Sequence, residues 1–206
     1  MVKWFCSSRE SISLLSVSSG VFGEHADVAL IHGQTATIGF WQNKNGQALI
    51  NSLNGGVNST ALGYWLANNF ANMYGPNAGA NNLAGKTNAQ VAAYYVTLFK
   101  QKGQKLDAQV LAIALAVYVT DSDLAGNNAA AYGFIVTTSG TGSATYSVGI
   151  NGAAFGIANN NRQTILQLLR ATNSLSAGGI LYNGSTSLRN MANSVYVGIN
   201  TGGDIV

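Results

Sequence analysis

Few side chains in this chain of 206 residues are suited to acid-base or metal chemistry. The acidic residues are Glu10, Glu24, Asp27, Asp107, Asp121, Asp123 and Asp204, and the histidines are His25 and His32. A glycosidase needs two carboxyl groups that flank the scissile sugar bond. Asp121 and Asp123 are too close in sequence to face each other across a substrate, so Asp107 would have to be the distant partner of one of them. A glycoside-hydrolysing enzyme is therefore an alternative with weak support.

The segment Asp121-Ser122-Asp123, followed by Gly126-Asn127-Asn128, carries the oxygen-bearing side chains that Ca²⁺ prefers. Leu124 and Ala125 stand where further oxygen ligands would be needed, and no glutamate closes the loop. The favoured interpretation is that Asp121 ends a helix and forms a turn. Under the alternative interpretation Asp121 and Asp123 are the metal ligands. No cofactor is predicted.

Both histidines lie in the first 33 residues, which show no sustained periodicity. A Ser-His-Asp or Cys-His site would have to take its general base from this irregular segment, although such a base needs rigid positioning. The possible ligands Glu24, His25, Asp27 and His32 do not match a metal-site spacing. We therefore interpret this part of the chain as a solvated loop.

Aromatic side chains are the other candidates for contact with a ligand. Trp41, Tyr64, Trp65, Tyr94 and Tyr95 are flat amphipathic rings of the kind that stack on sugars when they are exposed. Their helical spacing favours core packing for most of them. Trp41, Tyr64 and Trp65 are the candidate ligand-binding residues. Exposed aromatics beside a groove would favour a carbohydrate-binding protein, and buried ones a structural protein.

Composition excludes several classes of partner. Charged residues make up 8% of the chain and the net charge is +3, while asparagine occurs 23 times and glycine 25 times, so the surface is expected to be neutral and polar. Lys100, Lys102 and Lys105 are too few to bind a phosphate backbone, and no nucleic-acid partner is predicted. Gly55-Gly56 and Gly202-Gly203 lack the strand-loop-helix setting of a nucleotide site.

Apolar runs in the chain are short. The longest, Val110 to Val119, has ten residues, whereas a transmembrane helix needs about 20. We therefore expect no transmembrane segment. Glu10 and several serines interrupt the apolar runs near the start, so no signal peptide is visible in this chain. The lone Cys6 cannot form an internal disulfide or a thiolate metal cage.

The spacing of apolar residues predicts a mainly α fold with a minor β part. Helical stripes cover about 59–74, 87–103, 165–175 and 188–199. Leu106 to Val119 is apolar on every face, which places it in the middle of a bundle of five or six helices. Period-two alternation on both sides of Gly140-Thr141-Gly142 predicts one inserted β-hairpin at about 133–150. Residues 1–33 are interpreted as an irregular appendage, and 34–206 as a single helical domain.

The run from Thr37 to Ile50, TIGFWQNKNGQALI, resembles the opening of an uncharacterised module of large secreted bacterial surface proteins. In that module a Gly-aromatic-Trp-x-Asn start is followed by several helices. Leu106–Ala112 and Asn190–Asp204 are similar to its later parts, so the resemblance covers about 34–204. It implies an extracellular or cell-surface location, and it does not indicate an activity.

Two hypotheses of function follow. The first is a non-catalytic extracellular structural or adhesive module of a bacterial surface protein. The alternative is a carbohydrate-binding or glycoside-hydrolysing protein. The expected partners are a surface glycan or neighbouring modules, and the oligomeric state stays open.

Overall fold

The structure, a computed structural model, describes residues 28–206. Its α-helices are α1 (Ile38–Gln42), α2 (Lys44–Ser52), α3 (Ala61–Asn69), α4 (Ala71–Tyr74), α5 (Asn88–Lys100), α6 (Leu106–Thr120), α7 (Ser122–Ala125), α8 (Ile165–Ser174) and α9 (Thr186–Gly202). Short 3₁₀ helices span Leu53–Gly55, Gly79–Asn81, Asn128–Tyr132, Thr141–Ser143, Gly149–Phe155 and Leu181–Gly184. Strands β1 (Thr145–Ser147) and β2 (Arg162–Thr164) form one small antiparallel sheet. The predicted mainly α fold with a minor β part is confirmed.

Helix α6 lies at the centre of the domain. Every residue from Ala108 to Thr120 is buried, as expected for a helix without a polar face. Helices α1, α5, α8 and α9 pack around it. The core therefore forms as a layer of amphipathic helices around one apolar helix.

Two of the surrounding helices begin with a capping box. Thr87 accepts a hydrogen bond from the Gln90 amide at 3.3 Å, while the Gln90 side chain accepts one from the Thr87 amide at 2.9 Å. Thr164 and Gln167 form the same reciprocal pair at the start of α8. These bonds satisfy amides that have no partner inside the helix, and so they fix where each helix starts.

The helical stripe at 59–74 is divided into two helices rather than one. The backbone leaves the helical region at Phe70, with φ −134° and ψ 62°, and resumes it at Ala71. The Phe70 side chain is fully buried and packs edge-on against Trp65. The side chain of Asn69 donates to the Trp65 carbonyl at 2.9 Å, a local bond that competes with continuation of the helix.

The predicted minor β-hairpin is present, but only one of its two strands lies within the predicted 133–150. The predicted second arm contains β1, but β1 pairs with β2, with Thr145 opposite Thr164, and residues 134–138 form no strand. Thr141 of the predicted turn is buried, and its hydroxyl contacts the Thr120 hydroxyl at 3.0 Å. The expected first arm is engaged elsewhere, because the Ile135 amide donates to the Gly33 carbonyl at 2.7 Å and the Thr137 amide donates to the Thr120 carbonyl at 2.9 Å.

Residues 28–33, assigned from the sequence to an appendage, are part of the folded domain. The Leu30 amide donates to the Thr145 carbonyl at 3.1 Å, and the Thr145 amide donates to the Val28 carbonyl at 2.8 Å. Gly33 bonds to both Asp204 and Ile135 through its backbone. The predicted boundary at residue 34 is therefore too late. The predictions for Cys6, Glu24, His25 and Asp27 lie outside the described residues.

Between Val28 and Val206, no helix combines the length and the hydropathy that a bilayer crossing requires.

We expect Leu111→Ala or Leu115→Ala to lower the free energy of unfolding by about 2 to 5 kcal/mol, because each leaves a cavity in a fully buried helix. The control is Ile150→Ala, whose side chain is 78% exposed and which should change stability by no more than about 0.5 kcal/mol. Urea unfolding followed by circular dichroism measures both. A loss below about 1 kcal/mol at Leu111 and Leu115 would mean that α6 is peripheral.

A chain that begins at Gln34 should be less stable than one that begins at Val28 by about 2 kcal/mol, since it loses four backbone hydrogen bonds and the contact of Leu30 with Gly203. Equal melting temperatures for the chains starting at 28 and 34 would contradict the docking of this segment.

Candidate functional site

A cleft of about 430 Å³ lies where α3, α8 and the loop between Ser139 and Ser143 meet. Val117 of α6, Leu124 and Leu166 supply its apolar lining. Its other lining residues are Trp65, Asn69, Asp121, Ser139, Gly142, Ser143, Thr164, Gln167 and Arg170. The cleft thus combines one indole ring with a carboxylate, two amides and a guanidinium. We refer to it as the Trp65 cleft.

Trp65 is held in position by two aromatic neighbours. Its ring lies 5.2 Å from that of Tyr118 and 5.6 Å from that of Phe70, both in edge-to-face geometry. The Tyr118 hydroxyl donates to the Asn54 side chain at 2.8 Å. Burial raises the pKa of Tyr118 to about 12, although the hydrogen bond with Asn54 acts to lower it, so the phenol stays protonated at neutral pH. The indole is therefore fixed before any ligand arrives.

Asp121 sits where α6 ends and α7 begins. One carboxylate oxygen accepts hydrogen bonds from the Asp123 amide at 2.9 Å and the Leu124 amide at 3.3 Å, which caps α7. Gly140 packs directly on Asp121, where a Cβ would come within 3.0 Å of its backbone. No residue in the range 28–206 donates to the second carboxylate oxygen of Asp121. That oxygen is available to accept from a ligand.

Helix α8 contributes two hydrogen-bond donors one turn apart. Gln167 uses its side-chain oxygen in the capping box of α8, which leaves its NH₂ group for the cleft. Arg170 is exposed, and within the described part of the chain it forms neither an ion pair nor a hydrogen bond. Gln167 and Arg170 therefore present donors, whereas Asp121 presents an acceptor.

The structure brings together only some of the residues predicted from the sequence. Trp65 and Asp121 line the same cleft, although 56 positions separate them in the chain. The prediction that Trp41 binds a ligand is wrong, because its side chain is fully buried between α1 and the core. Tyr64 is 51% exposed, but it lies beside Gly85 and does not line the cleft.

Gln167 and Arg170 were not predicted as site residues. Both belong to a helix whose apolar stripe predicts only core packing, and neither residue is part of a recognisable sequence motif. Their place in the cleft is set by the tertiary fold, which brings residues of α3 and α8 to the same cleft. No local pattern in the sequence identifies them.

The paired-carboxylate hypothesis does not fit the geometry. Asp107 lies in the first turn of α6, where it forms an ion pair with Arg189 at 2.7 Å. Asp121 lies at the opposite end of this helix, 121 − 107 = 14 residues later, which corresponds to about 21 Å along the axis. Glycosidase carboxyl groups lie about 5 to 10 Å apart. Asp107 therefore cannot act with Asp121 or Asp123 on one sugar bond.

The metal hypothesis also lacks a set of ligands. Asp123 is exposed and lies outside the cleft, while Asp121 is engaged as a helix cap. Nowhere in residues 28–206 do three His, Cys, Asp or Glu side chains come together. The geometry of Asp121 thus agrees with the interpretation that it ends a helix and forms a turn.

The Gly-Phe-Trp-x-Asn motif builds a corner between α1 and α2. Asn43 caps α2 by accepting hydrogen bonds from the amides of Asn45 at 2.8 Å and Gly46 at 3.2 Å. A Cβ at Gly46 would lie 2.3 Å from the Phe40 carbonyl oxygen, so only glycine permits this close approach of the two helices. Trp41 anchors the corner in the core. These motif residues are explained by packing and capping.

Comparisons with models of protein families, with curated proteins and with solved structures found no match to this chain.

We expect the double variant Asp121→Asn with Asp123→Asn to retain the wild-type melting temperature, because asparagine caps a helix as well as aspartate does. EDTA should likewise leave the melting temperature unchanged. Asp121→Ala, which removes the cap, should cost about 1 kcal/mol. Stabilisation by calcium that the double variant abolishes would instead establish Asp121 and Asp123 as metal ligands.

Proposed function

We propose that this chain is a non-catalytic, adhesive module that binds a saccharide in the Trp65 cleft. The observation that carries the proposal is the convergence of Trp65, Asp121, Gln167 and Arg170 in one cleft. An aromatic ring offers a flat apolar surface to the C–H face of a sugar. Carboxylate, amide and guanidinium groups supply the acceptors and donors that sugar hydroxyls need.

The size and rigidity of the cleft support this proposal. Ligand-binding clefts have volumes of about 300 to 1,000 Å³, and the volume of about 430 Å³ lies in the lower part of this range. The Trp65 ring is packed against Phe70 and Tyr118, and Asp121 is fixed by the start of α7. Little conformational entropy would be lost in these two side chains on binding, which favours affinity.

The proposed activity is binding and not hydrolysis. Asp121 is the one carboxylate among the residues that line the cleft, whereas the usual glycosidase mechanism uses two. A bound sugar would contact Asp121 as a hydrogen-bond acceptor, but no second carboxyl group within residues 28–206 lines the cleft to complete acid-base catalysis. We extend the proposal to an extracellular or cell-surface setting, in accordance with the resemblance of the 37–50 segment.

A purely structural module of a surface protein is the second candidate. The burial of Trp41 and the capping role of Asn43 favour it, because these motif residues serve the fold. Under this hypothesis the partners are neighbouring modules, and the Trp65 cleft has no ligand.

We expect the wild-type chain to bind members of a glycan array, and Trp65→Ala to bind the same glycans at least about fivefold more weakly, since loss of stacking removes about 1 kcal/mol or more. Trp65→Phe keeps part of the packing on Tyr118 and should bind with intermediate affinity. Titration calorimetry gives the affinities, and circular dichroism checks that both variants are folded.

Tyr64→Ala is the matched control, because Tyr64 is the adjacent aromatic on α3 and lies outside the cleft. It should bind as the wild type does. Equal loss of binding in the Tyr64 and Trp65 variants, or absence of binding by the wild-type chain, would contradict the proposal and favour the structural module.

A further inference from the structure

We infer that the Trp65 cleft selects saccharides that carry a carboxylate, and that Arg170 is the residue that determines this specificity. The inference rests on the proposed saccharide-binding function and adds the chemical class of the ligand. It follows from what each arginine of the described chain contacts and from how donors and acceptors are divided within the cleft.

Two of the three arginines within residues 28–206 have protein partners. Arg189 forms an ion pair with Asp107 at 2.7 Å, and Arg162 donates to the carbonyl of Thr145 at 3.2 Å and to its hydroxyl at 3.1 Å. Arg170 has no such partner within this range, although it lines the same cleft as Asp121. Its guanidinium is therefore free to bind an external anion.

The guanidinium group fits a carboxylate in particular. Its planar fork donates two parallel hydrogen bonds to the two oxygens of a carboxylate, and this charge-assisted pair is stronger than a hydrogen bond to a neutral hydroxyl. The amide nitrogen of Gln167, one helical turn before Arg170, adds a third donor on the same wall, because the Gln167 oxygen is already used by Thr164. The side of the cleft formed by α8 thus presents hydrogen-bond donors.

Asp121 restricts where the ligand carboxylate can lie, because its own negative charge repels a second carboxylate placed beside it. It belongs to a different wall, at the junction of α6 and α7, and it does not form an ion pair with Arg170. One of its oxygens is engaged by two backbone amides, which leaves a single acceptor for a hydroxyl of the ligand. A ligand with one carboxylate and neighbouring hydroxyls, such as a uronic acid, is complementary to both sides of the cleft. Its carboxylate would bind the donors of α8, and a hydroxyl would donate to Asp121.

The test compares binding of oligogalacturonates with binding of galactose oligomers of equal length, by titration calorimetry. We expect the wild-type chain to bind the acidic oligomers at least tenfold more tightly at low salt, and this preference to shrink as the salt concentration rises. Arg170→Gln should remove the preference, because its loss of affinity for the acidic oligomers should exceed its loss for the neutral ones by at least tenfold. Arg170→Lys should restore part of it.

Lys100→Gln is the matched control for net charge, because Lys100 is exposed at the end of α5 and lies outside the cleft. It should leave the preference unchanged. Equal affinity of the wild-type chain for acidic and neutral oligomers would overturn the role of Arg170 while the saccharide-binding function stands. A preference that survives in Arg170→Gln would also overturn it. Failure to bind either series, together with no binding on the glycan array, would remove the proposed function itself.

Discussion

The fold depends on one constraint, which is that α6 has no polar face and must be covered on all sides. An isolated helix of this composition would expose about a dozen apolar side chains, so the free energy gained by burying them drives the assembly of the other helices around it. Helices α1, α5, α8 and α9 supply that cover. The Trp65 cleft lies at the C-terminal end of α6, where Val117 contributes to its lining and Asp121 follows the last helical residue.

Hydrogen bonds between uncharged groups, rather than ion pairs, join the other helices of the domain. Asn88 donates to the carbonyls of Leu53 at 2.8 Å and Gly56 at 3.0 Å, and these bonds tie the start of α5 to the end of α2. Asn173 accepts from the amides of Asn72 and Met73 and so joins α8 to α4. Arg189 and Asp107 form the one ion pair found among residues 28–206. Because salt screens charges and not neutral hydrogen bonds, stability should vary little with ionic strength.

The sequence predicts those parts of the structure that local physics decides. The position of α6 follows from its apolar faces, and the start of α5 follows from the Thr87 and Gln90 box. The strand partner of β1 could not be predicted, because the expected first arm bonds instead to Gly33 and Thr120, contacts that only the tertiary fold sets. Within the candidate site, residue type alone marked Trp65 and Asp121 as candidates. Arg170 was not predicted, since only the tertiary fold shows that this exposed arginine lines the cleft.

Asp121 shows how the fold and the proposed function depend on each other. The backbone around it is held by the bonds from Ser122 to the Thr137 carbonyl and from Thr137 to the Thr120 carbonyl, both at 2.9 Å. The carboxylate is then oriented by the amides of α7, so its free oxygen has a defined direction. An acceptor held by the backbone on both sides suits selective binding, because little entropy is lost when a ligand is bound. Because no second carboxylate of the described chain lines the cleft, the proposed role of Asp121 is to accept from ligand hydroxyls rather than to act as a catalytic acid.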